Sequence, residues 1–177
     1  VSAGAAAVLL VASGVADRFD KPGIRLLGFG QASDSLALYK RENLTSLPAA
    51  QHAAERAYKM AGVGVDDIDF AEVHDCFTIA EVMATEDLGF FGKGEGSDAV
   101  LAGATGRDGK IPVNPSGGLK AKGHPVGATG VSQIVESSFQ LRGEAGERQI
   151  EGAEIGLTHN VGGSGATCVV TILGKAE

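Results

Sequence analysis

Residues 72–77 read EVHDCF, which sets a histidine, a carboxylate and one of the chain's two cysteines side by side where an apolar run ends. The preceding stretch, DDIDFAEVH at 66–74, alternates with a period of two, the pattern of a strand. Carried through residue 76, that alternation turns His74 and Cys76 to one side as neighbours and Asp75 to the other. Thr78 and Glu81 follow in capping-box spacing, so the strand is predicted to run almost directly into a helix. Cys76 would then lie just before a helix N-terminus, where the macrodipole and unpaired N–H groups favour a thiolate able to take or give a proton near neutral pH. The same spacing also fits a small buried hydrophobe at Cys76 and a satisfied strand-end histidine at His74, because free cysteine prefers burial.

A second stretch, GGLKAKGHPVGATG at 117–130, holds His124 between Gly123 and Pro125 among glycines that let backbone come close to another group. A histidine there can serve as general base or as donor to an oxyanion. A glycine-rich packing segment with an incidental histidine is the plainer alternative. A third, HNVGGSG at 159–165, is a turn whose backbone N–H groups at Gly162 and Gly163 are unshielded and can bind a developing oxyanion, although a hairpin turn needs no function. Cys168 alternates in phase with Val170 and Ile172 and reads as strand core, and His52 lies in an alanine-rich helix and reads as structural or exposed. No metal site is expected, because His74, Asp75 and Cys76 are adjacent on a strand and cannot all face one ion, and no second cluster has ligand spacing.

These residues need a scaffold. The runs 5–11 (AAAVLLV) and 24–29 (IRLLGF) read as strands buried on both faces. Over 47–61 the period changes: Ala50, Ala53, Ala54, Ala57 and Ala61 recur at three- and four-residue spacing between Pro48 and Gly62, which predicts a helix with a small-residue packing face. Residues 91–117 lack periodicity and read as a long functional loop. A helix is predicted at about 127–141, largely buried, and two strands at 154–159 and 166–173. The alternation of strands and helices predicts an α/β domain of layered architecture, with a five-stranded mixed sheet and helices on both faces.

Composition narrows the function. The 177 residues are 44% hydrophobic and 21% charged, with 27 glycines, about twice the usual share, as the outlier. A net charge of −7 argues against nucleic acid or an anionic membrane as main partner. Two widely separated cysteines suggest no disulfide framework and a reducing, cytoplasmic compartment. The opening apolar run is too short for a membrane span and lacks the basic start of a signal peptide. The chain begins at Val1 without a methionine, which suggests a piece of something longer.

Taken in order, HDCF, GGLKAKGHPVGATG and HNVGGSG resemble the C-terminal half of a thiolase, and the likeness runs from GAAAVLLV to the last strand. HDCF, in place of the NEAF of biosynthetic and degradative thiolases, looks like the branch of sterol-carrier-protein thiolases and archaeal and bacterial acetoacetyl-CoA thiolases. The resemblance implies that Cys76 moves the α-proton of the acetyl unit, and that His124 activates the nucleophile and serves one oxyanion hole. It further implies that His74 orients water or a carbonyl there, and that the Gly162 N–H serves a second hole. Gly123, Phe77 and Asn160 would line the site. Asn160 stands where the wider family carries the acid/base cysteine of its C-x-G motif.

The family's nucleophilic cysteine has no match here. The resemblance therefore implies that residues 1–20 are the last strand and start of a helix of an N-terminal half, and 21–177 the C-terminal domain. An N-terminal half or partner chain would supply the nucleophile, and the chain alone would be inactive. The expected substrates are acyl-CoA and acetyl-CoA, with no separate cofactor, and the intact enzyme is expected to be a homo-oligomer. Two rivals remain: a non-catalytic subunit that binds acyl-CoA or a partner, and a CoA-thioester retro-aldolase working with an OB-fold partner.

Overall fold

The computed structural model describes residues 2–176. Strand β1 (Ile24–Ser33) is followed by helix α1 (Pro48–Ala61), the short strand β2 (Phe70–Glu72) and helix α2 (Thr78–Asp87). Two short helices, α3 (Gly96–Leu101) and α4 (Gly118–Lys122), lead to α5 (Thr129–Arg142) and a closing hairpin of β3 (Ile155–Gly162) and β4 (Thr167–Lys175). The sheet order is β1-β4-β3-β2, with β2 parallel to β3 and the other pairs antiparallel.

Among the described residues the sheet therefore has four strands, not the five expected. The missing one is 5–11, which has no regular structure and leaves Leu9 73% and Leu10 82% exposed. An apolar run becomes a strand only where a sheet edge takes its N–H and C=O groups. This one instead passes the 117–130 stretch, with the Ser2 N–H 3.5 Å from the His124 carbonyl and Gly4 against Pro125.

Helix α1 follows the predicted pattern: it opens on Pro48, ends at Gly62 in the left-handed conformation, and buries Ala49, Ala50, Ala53, Ala54 and Ala57. That face lies almost on the backbone of β1. A Cβ at Gly28 would sit 2.6 Å from the Ala57 carbonyl oxygen, and one at Gly30 would strike that of Ala53. Small residues on both elements permit the approach, and with Cys168, Val170, Ile172 and Leu157 they form the larger core. A second core of Phe70, Leu141, Ile150, Ala153 and Leu173 gathers where α5 packs on the sheet, so helices cover both faces.

Three local expectations change. The loop 91–117 contains α3 and a parallel bridge from Val113 to Ala71. Strand β3 extends through Gly162, so that residue pairs with Thr167 instead of sitting in the turn. The capping box at Thr78 does not form: Phe77 is the N-cap, no side chain caps the helix, and Glu81 accepts a hydrogen bond from Asn114 instead.

Candidate active site

The alternation expected through Cys76 stops at Glu72, where β2 ends. Beyond it the chain leaves the ladder and side chains take over the backbone groups. The Val73 N–H donates to Asn114 Oδ1 at 2.8 Å, and the His74 N–H to His159 Nδ1 at 3.4 Å. Asn114 holds a positive φ of 52°, a conformation its short polar side chain tolerates.

Two buried carboxylates from this segment fasten the 116–122 stretch beneath it. Glu72, 1% exposed, accepts the Ser116 N–H at 3.0 Å and its hydroxyl at 2.7 Å, with Lys122 Nζ at 3.6 Å. Burial raises its pKa, against the pull of Ser116 and Lys122. Asp75, 2% exposed, accepts the Leu119 N–H at 2.7 Å and the Lys120 N–H at 3.3 Å. Gly118 lies so close that a Cβ there would collide with this carboxylate.

The result is one open cleft of about 480 Å³ lined by Cys76, Phe77, Gly123 and His124, with Ser2 and Lys120 at its walls. Lys120 Nζ donates to the Cys76 carbonyl at 3.2 Å and sits 5.6 Å over the Phe77 ring. His74 lies behind, its ring edge-on to that of His124 with centroids 4.9 Å apart. Burial first, then His124, lowers the His74 pKa, while Asp75 opposes the shift.

His124 is oriented from its far side. Its Nδ1 is 2.7 Å from Thr129 Oγ1, which also donates to the Pro125 carbonyl at 3.1 Å. The hydroxyl has one hydrogen, so the arrangement that satisfies both contacts has Nδ1–H donating to Thr129 and leaves Nε2 with its lone pair. Such an imidazole can accept a proton at Nε2 and then offer it as a hydrogen-bond donor.

The predicted residues thus divide. Cys76, Phe77, Gly123 and His124 meet in the cleft, and His74 backs it. Asn160 and Gly162 are not among the lining residues: Asn160 packs near Gly130 and donates to Gln133 Oε1 at 3.1 Å, and Gly162 is exposed near the end of β3. Cys168 is buried in the core, where burial and then Asp87 push its thiol up to about 12, and His52 is largely exposed. Sequence reasoning missed Glu72, Asp75, Asn114, Thr129 and His159 as parts of the site. Only Asn114 stood outside the motifs already noticed: Glu72 and Asp75 lie in EVHDCF, Thr129 in GGLKAKGHPVGATG and His159 in HNVGGSG. Among the described residues no group of three or more His, Cys, Asp or Glu could hold a metal ion. No helix among them is long and apolar enough to cross a membrane.

Residues 30–175 match the family described as Thiolase C-terminal domain-like. An acetyl-CoA acetyltransferase of Methanothermobacter thermautotrophicus is 52% identical over 175 residues, covering 99% of this chain and 46% of that protein. Human sterol carrier protein 2 is 40% identical over 156 residues, covering 80% of this chain and 28% of that one. Among solved structures, an Ltp2-ChsH2(DUF35) aldolase superposes with a TM-score of 0.82 at 26% identity, covering 93% of this chain and 43% of that one. The chain thus spans less than half the length of the relatives it matches.

Proposed function

The chain belongs to the thiolase family by its C-terminal domain, and on that premise we propose that it is the C-terminal part of an acetyl-CoA C-acyltransferase. The observation that carries this reading is that Cys76 and His124 line one cleft while His74 meets His124 edge-on. The substrates are acyl-CoA and acetyl-CoA, and the nucleophilic cysteine comes from an N-terminal half or partner chain.

In the condensing direction His124 Nε2 takes the proton of that cysteine, whose thiolate attacks the acyl-CoA carbonyl; the bond to CoA breaks and CoA leaves with the proton of Cys76, so that the acyl-enzyme and a Cys76 thiolate remain. Cys76 Sγ then removes the α-proton of acetyl-CoA, and His124, now protonated, hydrogen-bonds the enolate oxygen, with His74 beside it. The carbanion attacks the acyl-enzyme carbonyl to form the C–C bond and a tetrahedral oxyanion, whose collapse breaks the C–S bond and expels the cysteine thiolate, which regains its proton from His124. Cleavage runs the same steps backward with free CoA. Each oxyanion donor is expected to lower its barrier by about 3 kcal/mol. The active assembly is a homo-oligomer, and its expected compartment is the cytoplasm.

The aldolase likeness supports a second reading, retro-aldol cleavage of a CoA thioester with an OB-fold partner. A third, a binding subunit without chemistry, has little use for a thiol and an imidazole in one cleft. The test is CoA-dependent cleavage of acetoacetyl-CoA by the full-length protein. Cys76→Ala should abolish it; undiminished cleavage in that variant overturns the thiolase reading.

A further inference from the structure

His159 has no part in the chemistry above, yet it is the most buried histidine of the site at 1% exposed. It stands on β3 opposite Val170, and its carbonyl is tied to Gln133 of α5 at 3.0 Å. The β2–β3 ladder runs only from Phe70↔Gly156 to Glu72↔Thr158, so His159 is the first β3 residue after pairing ends. At that point its side chain supplies the acceptor: Nδ1 takes the N–H of His74, whose ring reaches His124. An Nδ1 that accepts from an amide must carry a lone pair, so the neutral ring holds its hydrogen on Nε2.

That hydrogen has no partner among the described residues. His159 Nε2 and His74 Nδ1 are both buried and unsatisfied among the described residues. A side chain kept only to fill space would be apolar here, since a buried donor without an acceptor is destabilising. Burial, with His74 second, also drives the His159 pKa down to about 3, which keeps the Nδ1 lone pair available.

We propose that His159 is a positioning residue: a neutral imidazole with its hydrogen on Nε2, whose Nδ1 holds the His74 backbone and so sets the edge-on His74–His124 pair. This rests on the thiolase reading for its kinetic consequence, but not for its geometry.

The experiment uses the full-length protein with nitrogen-15 histidine, assayed for acetoacetyl-CoA cleavage and examined by ring nitrogen NMR at pH 7. His159 should show the Nε2–H tautomer. His159→Leu should lower kcat about tenfold to a hundredfold with KM nearly unchanged, and shift the His74 and His124 ring signals. His159→Asn, whose amide oxygen can stand near the place of Nδ1, should restore most of both. A charged or Nδ1–H ring overturns the proposal, as does a leucine variant with wild-type kcat and ring signals, or an asparagine variant as impaired as leucine. If the wild-type protein cleaves no thioester, the thiolase reading fails while the ring signals still decide the role of His159. If the leucine variant does not fold, the wild-type tautomer and the asparagine variant decide it.

Discussion

The two long helices cover the sheet in opposite ways. Helix α1 lays alanines on glycines: Ala53 and Ala57 rest on Gly30 and Gly28, and no polar side chain of α1 is buried in that seam. Helix α5 buries Thr129, Gln133, Glu136, Ser137 and Gln140, and its hydrogen bonds run to the His124 ring and to the backbone of His159. The dry side stabilises by close packing and tolerates no added volume. The polar side gains less from burial but fixes directions, and the candidate site lies there. A substitution on the first should cost the fold, and one on the second should cost geometry before stability.

The largest effect should come from the dry side. Gly30→Val drives a Cβ into the Ala53 carbonyl, a backbone atom that cannot yield without moving all of α1. A loss of about 5 kcal/mol or more is expected, comparable with a whole domain's stability. Urea denaturation of the full-length protein measures it, and a wild-type midpoint would mean that the seam is looser than its geometry implies.

Next is the acid stability that His159 confers. Its folded-state pKa, about 3, lies below its ordinary value of 6.5, so the unfolded chain binds the extra proton between those limits. Stability is therefore complete above pH 6.5 and lost as pH falls toward 3, by roughly 3 to 5 kcal/mol at about 1.4 kcal/mol per unit. Glu72 acts with the opposite sign: its raised pKa makes stability fall as pH rises above its ordinary 4.5. The urea midpoint between pH 6.5 and 3 should drop in wild type, and His159→Asn should flatten that limb. An equal slope in both proteins would remove His159 as the cause.

Asp75→Asn should cost less, about 2 kcal/mol, because the amide can accept only one of the two N–H bonds that Leu119 and Lys120 give the carboxylate. Activity should fall further than stability, since those bonds hold the His124 stretch against the Cys76 turn. Equal fractional losses would make Asp75 an ordinary structural acid.

The same division separates what the sequence made legible from what it did not. The dry side is local: alanines at helical spacing between Pro48 and Gly62 announce α1 without reference to anything distant. The run 5–11 has equally clear apolar character, but strand formation depends on a partner edge, which no local pattern reports. HDCF and GHP identified Cys76, His74 and His124 by residue type. Glu72 with Ser116, Asp75 with Leu119 and His74 with His159 span 44, 44 and 85 residues, so nothing in either neighbourhood marks them as pairs. The Thr78 capping box failed for the same reason, because Glu81 is claimed by Asn114, 33 residues away.

The smallest stability effect is expected at Thr129, where the polar side meets the proposed chemistry most directly. Thr129→Val keeps the shape of a fully buried side chain but removes the oxygen that receives His124 Nδ1–H and the hydrogen given to Pro125. About 1 kcal/mol should be lost. Without that acceptor the ring is free to turn and to carry its hydrogen on Nε2, where a general base needs a lone pair, so kcat should fall about tenfold while KM holds. Thr129→Ser keeps the hydroxyl and should recover most of the rate. If valine matches wild type, or serine is as slow as valine, Thr129 only fills space and the polar face of α5 orients His124 by other means.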